Sequence, residues 1–202
     1  MAKKKLHWSL RDSIQRVIEA IPPIIQIVLG VLGAWLAFDA GAWAPIVLPA
    51  EPEVDEWHAA RGLVEEYSQS LGIDLCFQHF DAEMLHLHTV YARPGGTFLL
   101  AKVDDAWAGC CALRALPGTD YPNSAEMKRL YVRPAFRRFG FGRSLSEGIL
   151  DAARQLGYHC VLLDTLDDME AARSLYHELG FKSIPPYYHN PIAGAHYLKV
   201  DL

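Results

Sequence analysis

An α/β domain built on a mixed sheet is what the sequence predicts, on three observations. Segments of strand character interleave with segments of helical period from residue 46 to the end of the chain. Hairpin signals stand at both ends of that stretch and bring antiparallel pairs into the sheet. Between them, a strand-like run from Met127 to Val132 gives way at Pro134 to an arginine pair, two alternate glycines and a helix-period run through Leu145, Ile149 and Ala152.

Taken in order, Ile46-Val47-Leu48 reads as a short first strand, followed by Pro49 and Pro52. A helix over residues 54–71 carries an apolar stripe at Trp57, Ala60, Leu63, Val64 and Tyr67 and stops at Gly72. A second helix is expected from Asp81 to Tyr91, and Arg93-Pro94-Gly95-Gly96 is a turn. Thr97 to Val103 and Trp107 to Arg114 are the arms of a hairpin around Asp104-Asp105. Met127 to Val132 is the fourth strand. The helix after it ends at Gly157, and Cys160 to Leu163 has the apolar content of a buried strand. A helix over Ala171 to Leu179 stops at Gly180, and strands near Lys182 to Ile184 and Ala195 to Val200 complete the sheet.

Composition bounds the function. A chain of 202 residues suits one domain with an appendage, and 51% hydrophobic residues supply a core. A net charge of -5 argues against general nucleic-acid binding. Cys76, Cys110, Cys111 and Cys160 form no C-x-x-C pair, and the adjacent Cys110 and Cys111 fall on opposite faces of a strand. They read as reduced, mostly buried thiols of a cytosolic protein. The histidines have no metal-ligand spacing: His86 and His88 are two apart and no H-E-x-x-H occurs, so no metal site is expected.

The order strand, basic turn, Gly-x-Gly, helix builds an anion site. Glycine lets a ligand approach the backbone closely. The helix start presents N–H groups without intrahelical partners, which favour a phosphate. Arg137, Arg138 and Arg143 add charge suited to phosphate oxygens.

Arg137-Arg138-Phe139-Gly140-Phe141-Gly142 resembles the Arg/Gln-x-x-Gly-x-Gly/Ala signature of the GNAT superfamily of N-acetyltransferases. A second stretch, Ala171-Ala172-Arg173-Ser174-Leu175-Tyr176-His177-Glu178-Leu179-Gly180-Phe181, is similar to the family's later Ala-x-x-Leu-Tyr-x-x-x-Gly-Phe helix. The resemblance covers about residues 46–202 and implies a mostly antiparallel mixed sheet whose fourth and fifth strands splay apart around the pantetheine of acetyl-CoA. The pyrophosphate would lie on the N–H groups of residues 138–143, around Gly140 and Gly142. The backbone of Leu130, Tyr131 and Val132 would pair with the pantetheine and face the thioester oxygen, where a donor supplies electrostatic stabilisation.

By the same resemblance Tyr176 is the acid that protonates the departing thiolate. Two carboxylates compete as the base. Glu126 sits directly before the splayed strand and is favoured, and Asp164 ends the fifth strand. The acceptor walls are the first two helices and the last loop, with Gln78, Phe77, Tyr187, Tyr188 and Asn190 as candidates. The family's later helix often begins with an asparagine that contacts CoA. Met169 stands there, which puts that contact in doubt. The acceptor implied is a primary amine on a small molecule or peptide, acetylated by direct attack. The sequence leaves the oligomeric state open, a homodimer included.

Residues 1–44 lie outside the resemblance. Lys3, Lys4, Lys5, Arg11 and Arg16 precede an apolar run from Ile24 to Phe38, and Pro22-Pro23 blocks a continuous helix between them. A cationic start before one span would place the domain outside the cytoplasm, away from acetyl-CoA. Three readings stay open: an interfacial or partner-binding segment with membrane contact through residues 21–43, a genuine anchor, and non-native upstream translation. The organisation expected is therefore an extension over 1–44 and a domain over 45–202, in the cytoplasm with membrane association left open.

Two rival functions are weighed on the residues. In a dinucleotide-binding reading Asp164 would hold a ribose, but Leu145 stands where the third glycine belongs. A non-catalytic acyl-CoA sensor would keep the glycine turn and lose the acid and base; Glu126, Asp164 and Tyr176 lean against it, and it stays as the alternative reading.

Overall fold

The computed structural model describes residues 46–47, 55–73 and 75–202, with the side chains of residues 46, 47 and 77 left aside. The expectations for residues 1–44 fall outside the described residues, as does the side chain of Phe77. No helix among the described residues is long and apolar enough to cross a membrane.

Among the described residues, seven strands form one sheet in the order β1-β2-β3-β4-β5-β7-β6. They are β1 (Ile46–Val47), β2 (Thr97–Val103), β3 (Ala106–Ala115), β4 (Ser124–Val132), β5 (Cys160–Leu166), β6 (Lys182–Ile184) and β7 (Ala195–Asp201). All neighbours pair antiparallel except β4 and β5, which run parallel. The helices are α1 (Asp55–Leu71), α2 (Phe80–Leu85), α3 (Leu87–Val90), α4 (Phe141–Gln155) and α5 (Glu170–Glu178).

The parallel pair is brief. It holds at Ser124↔Cys160, Ala125↔Val161 and Glu126↔Leu162, after which β4 continues to Val132 and β5 to Leu166 without pairing to each other. The expected splay between the fourth and fifth strands is therefore present, and it opens at Glu126.

Burial alternates across the central strands. Phe98, Leu100, Cys110 and Ala112 pack against Trp57, Ala60, Leu63 and Val64 of α1 and against Met84, Leu87 and Tyr91. Period-two geometry sends Leu99, Cys111 and Leu113 to the other face, where α4 covers β2, β3 and β4 with Leu145 and Ile149 fully buried. Arg133, just past β4, ties that strand end to α1 through Glu66, with Nη2 and Nε at 2.6 and 2.9 Å from its carboxylate.

Two local features depart from the sequence expectation. The helix expected over Asp81 to Tyr91 is two short helices, α2 and α3, broken at His86, whose φ is -122°. The fourth strand begins at Ser124 rather than Met127 and is bulged. Between Cys110↔Tyr131 and Ala112↔Lys128 it spends one more residue than β3, and Arg129 takes a left-handed φ of 59°. Arginine carries no conformational preference for that region, so side-chain contacts must hold it there.

Candidate active site

The basic turn is built as its glycines require. Arg137 donates from Nε to the Val132 carbonyl at 2.9 Å, folding the turn back on the strand end. Arg138 and Gly140 both have positive φ, 70° and 84°. Ser144 N–H is the first to be closed by the new helix, donating to the Gly140 carbonyl at 3.0 Å, so the amides before it point out of the helix start.

Gly142 differs from Gly140. Its φ is not positive, and an added Cβ would meet Leu175 Cδ2 at 3.7 Å and Val132 Cγ2 at 4.0 Å, which is ordinary contact. The fold itself thus asks for glycine at 140 and not at 142. A bare backbone at 142 suits a group approaching from outside. Arg137, Arg138 and Arg143 are all exposed, and Arg143 is also engaged by Glu147 at 3.6 Å and by Glu178.

Between the parted strands lies a cavity. Its β4 wall is Met127, Lys128, Arg129 and Leu130, its β5 wall is Asp164, Thr165 and Leu166, and Tyr176 of α5 also lines it. Tyr67, Leu71 and Gln78 face it from α1 and the turn that follows. Tyr131 and Val132 continue β4 past this lining and pair with Cys110 and Gly109 of β3 on the edge away from β5. A Cβ added at Gly142 would lie near Val132 and Leu175, so the start of α4 sits between the end of β4 and α5.

The two carboxylates have different surroundings. Glu126 is only 2% exposed. Its Oε2 takes Arg114 Nη2 at 2.7 Å and Nε at 2.9 Å, and its Oε1 takes the Tyr187 hydroxyl at 3.0 Å and Lys128 Nζ at 3.4 Å. Burial works against its charge, but Lys128, Arg114 and the Tyr187 hydroxyl outweigh burial and hold the carboxyl below its ordinary range. The ion pair follows from the sheet, because Arg114 and Glu126 are directly opposed in the β3–β4 register. So Glu126 stands at the opening of the splay, as expected, but its carboxylate is enclosed by the network rather than aimed into the cavity.

Asp164 does line the cavity. Tyr188 donates to its Oδ2 at 2.8 Å, Asn190 Nδ2 lies 3.4 Å from the same oxygen, and Lys128 Nζ lies 3.8 Å from Oδ1. Gln78 joins the group through Nε2 to the Tyr188 hydroxyl at 3.2 Å. The residues named as acceptor candidates from sequence, Gln78, Tyr188 and Asn190, therefore converge on Asp164, with Tyr187 beside them on Glu126. Tyr176 is buried, and burial, with Cys111, Tyr67 and Asp164 nearby, holds its phenol well above the usual range, so it stays protonated.

Lys128, Arg129, Glu83 and Arg114 escape a reading by motif. Lys128 and Arg129 sit within a strand where charge would ordinarily mark a solvated face. The Arg114–Glu126 pair was findable, since the hairpin register sets it. The link from Arg129 to Glu83 was not, because it depends on the bulge.

Comparison with known proteins finds relatives in both sequence and fold. The model of the acetyltransferase (GNAT) family matches residues 57–181. An uncharacterized N-acetyltransferase of Schizosaccharomyces pombe is 41% identical over 141 residues, 69% of this chain and 85% of that protein. Another from Dictyostelium discoideum is 26% identical over 72% of this chain and 92% of its own length. The fold is similar to that of an acetyltransferase from Streptococcus agalactiae, with a TM-score of 0.61 and 23% identity over 79% of this chain and 99% of that one.

Proposed function

The chain belongs to the GNAT family of acetyltransferases, and on that footing we propose that the cleft between β4 and β5 carries an acetyl group from acetyl-CoA to a primary amine by direct attack. Membership makes the chain an acetyl-CoA-dependent N-acetyltransferase. The roles of individual residues and the kind of acceptor are our assignments. The feature that supports them is proximity: a carboxylate, a buried phenol and the open edge of β4 line one cleft, and the start of α4 lies next to Val132 at the end of that edge.

The outward amides of residues 138–143 and the bare backbone of Gly142 fit a pyrophosphate, with Arg137 and Arg138 near it and Arg143 already paired with Glu178. When bound there, acetyl-CoA supplies a thioester whose carbon accepts the amine. The open edge of β4 at Leu130, Tyr131 and Val132 orients the pantetheine arm and offers main-chain donors to the thioester oxygen. We assign the base to Asp164 rather than Glu126. Asp164 faces the cavity, whereas Glu126 is enclosed and held below its ordinary range, which makes it a weak proton acceptor. As the C–N bond forms and the C–S bond breaks, Asp164 takes the proton shed by the amine and Tyr176 gives its hydroxyl proton to the sulfur. Gln78, Tyr188 and Asn190 hold Asp164 in place.

Release of CoA thiol across a panel of amines, with acetyl-CoA affinity measured in parallel, tests the reading. Amine-dependent thiol release is expected. Tight acetyl-CoA binding without release on any amine would overturn the catalytic assignment.

A further inference from the structure

Lys128 and Arg129 are consecutive in β4, where a regular strand sends neighbours to opposite faces. Here they do not part. The extra residue in β4 and the φ of 59° at Arg129 break the alternation, and both line the cavity with Asp164. Their residues are 8% and 4% exposed, so both cations are largely withdrawn from water.

Their donors are unevenly engaged. Arg129 gives Nε and Nη2 to Glu83, whereas its Nη1 meets the neutral Gln78 Oε1 at 3.3 Å. Lys128 lies 3.4 Å from Glu126 and 3.8 Å from Asp164, both longer than a close charge-assisted bond. The carboxylates have nearer donors: Arg114 and Tyr187 on Glu126, Arg129 and Tyr91 on Glu83, and Tyr188 on Asp164. The β4 wall thus presents two N–H donors, Lys128 Nζ and Arg129 Nη1, whose partners in the cavity are long ion pairs and a neutral amide. A buried, donor-rich wall is complementary to an anion.

We propose that the acceptor is an α-amino acid whose carboxylate is bound by Lys128 Nζ and Arg129 Nη1 while its amine lies at Asp164. The proposal rests on the assignment of this cleft and of Asp164 made above. Spacing sets the class. Lys128 Nζ is 3.8 Å from Asp164 Oδ1, so the substrate's amine and carboxylate must be carried by the same or neighbouring carbons. A polyamine, or a peptide N-terminus whose first side chain is not acidic, brings no carboxylate to that point. Leu71, Ile73, Leu75 and Ile192 line the same cavity and suit an apolar side chain.

Leucine, methionine and phenylalanine, each set against its amide, isolate the carboxylate. The free acid is expected to exceed its amide in kcat/KM by about 10²-fold for at least one pair, in line with charge-assisted bonds in a desolvated site. Lys128→Met should bring that ratio close to one, and Lys128→Arg should keep most of it. A Lys128 that merely balances charge would lower acid and amide alike, which would overturn the proposal. So would amides accepted as well as acids in the unmodified enzyme. Titration of N-acetylleucine and N-acetylleucinamide into CoA-saturated wild-type protein reads the same contrast without turnover or variants, and equal affinities there count against the proposal. Failure of acetyl-CoA itself to bind is a separate result that removes the reading of the cleft and this inference with it.

Discussion

Arg129 lays Nε and Nη2 on the two carboxylate oxygens of Glu83, each at 2.8 Å, and so joins the bulge of β4 to α2 across the helical layer. Tyr91 donates to the same carboxylate at 2.9 Å, and the guanidinium lies over the Phe80 ring at 5.2 Å. Burial works against the charge on Arg129, but Glu83 outweighs it and keeps the guanidinium protonated. This clamp holds a non-glycine residue at a left-handed φ, and the left-handed residue gives the cavity its β4 wall.

Removing one partner leaves the other charge buried and alone. Arg129→Met is expected to cost about 3–5 kcal/mol of stability in urea unfolding. The double variant with Glu83→Met should recover much of that loss. A single-variant loss below about 1 kcal/mol would mean that the clamp does not hold the bulge.

Turnover separates the two carboxylates. Asp164→Asn should lower kcat on the order of 10²–10⁴-fold with acetyl-CoA affinity retained. Glu126→Gln should act chiefly by loosening Arg114, Lys128 and Tyr187, with a smaller kinetic loss. The opposite order would return the base to Glu126.

Tyr176→Phe removes a proton donor and little packing volume. Its expected signature is lower kcat with unchanged acetyl-CoA affinity in calorimetric titration. A parallel loss of affinity would show that Tyr176 serves the fold or the binding surface instead.

Acid should weaken the protein through Glu83 and Glu126. Burial raises both carboxyls, but Arg129 and Tyr91 on Glu83, and Lys128, Arg114 and Tyr187 on Glu126, bring each below its ordinary 4.5. A lowered folded-state pKa means that the unfolded chain binds more protons in that window. The stabilisation is therefore complete above pH 4.5 and is lost as pH falls through the folded values. Melting temperatures of the parent should drop over that range, and Glu126→Gln should show a lower but flatter profile. A parent profile that stays level below that point would contradict the sign.

Much of the fold was legible because it is written locally. The hairpin about Asp104, whose φ is 51°, the basic turn at Gly140 and the helix stop at Gly157 each depend on a few adjacent residues. Asp164, Tyr188, Asn190 and Gln78 were also named from sequence, yet their convergence comes from hydrogen bonds spanning up to 110 positions. What the sequence concealed was the bulge. Met127-Lys128-Arg129-Leu130 carries no glycine or asparagine to announce a left-handed residue, so the shared facing of Lys128 and Arg129 was hidden. The enclosure of Glu126 depends on Arg114 from β3 and Tyr187 from the loop before β7, which no single segment displays.

The central claim is that acetyl-CoA lies against the bare backbone at Gly142. Gly142→Val tests it most directly, because a Cβ there meets protein atoms only at ordinary contact distance and the melting transition of the variant separates a lost site from a lost fold. Calorimetric titration of acetyl-CoA into this variant is predicted to show affinity lowered by about 10²-fold or more, the scale of lost backbone donors to an anion. Its cooperative melting transition should stay close to that of the parent. Unchanged affinity in a folded Gly142→Val protein would contradict the account.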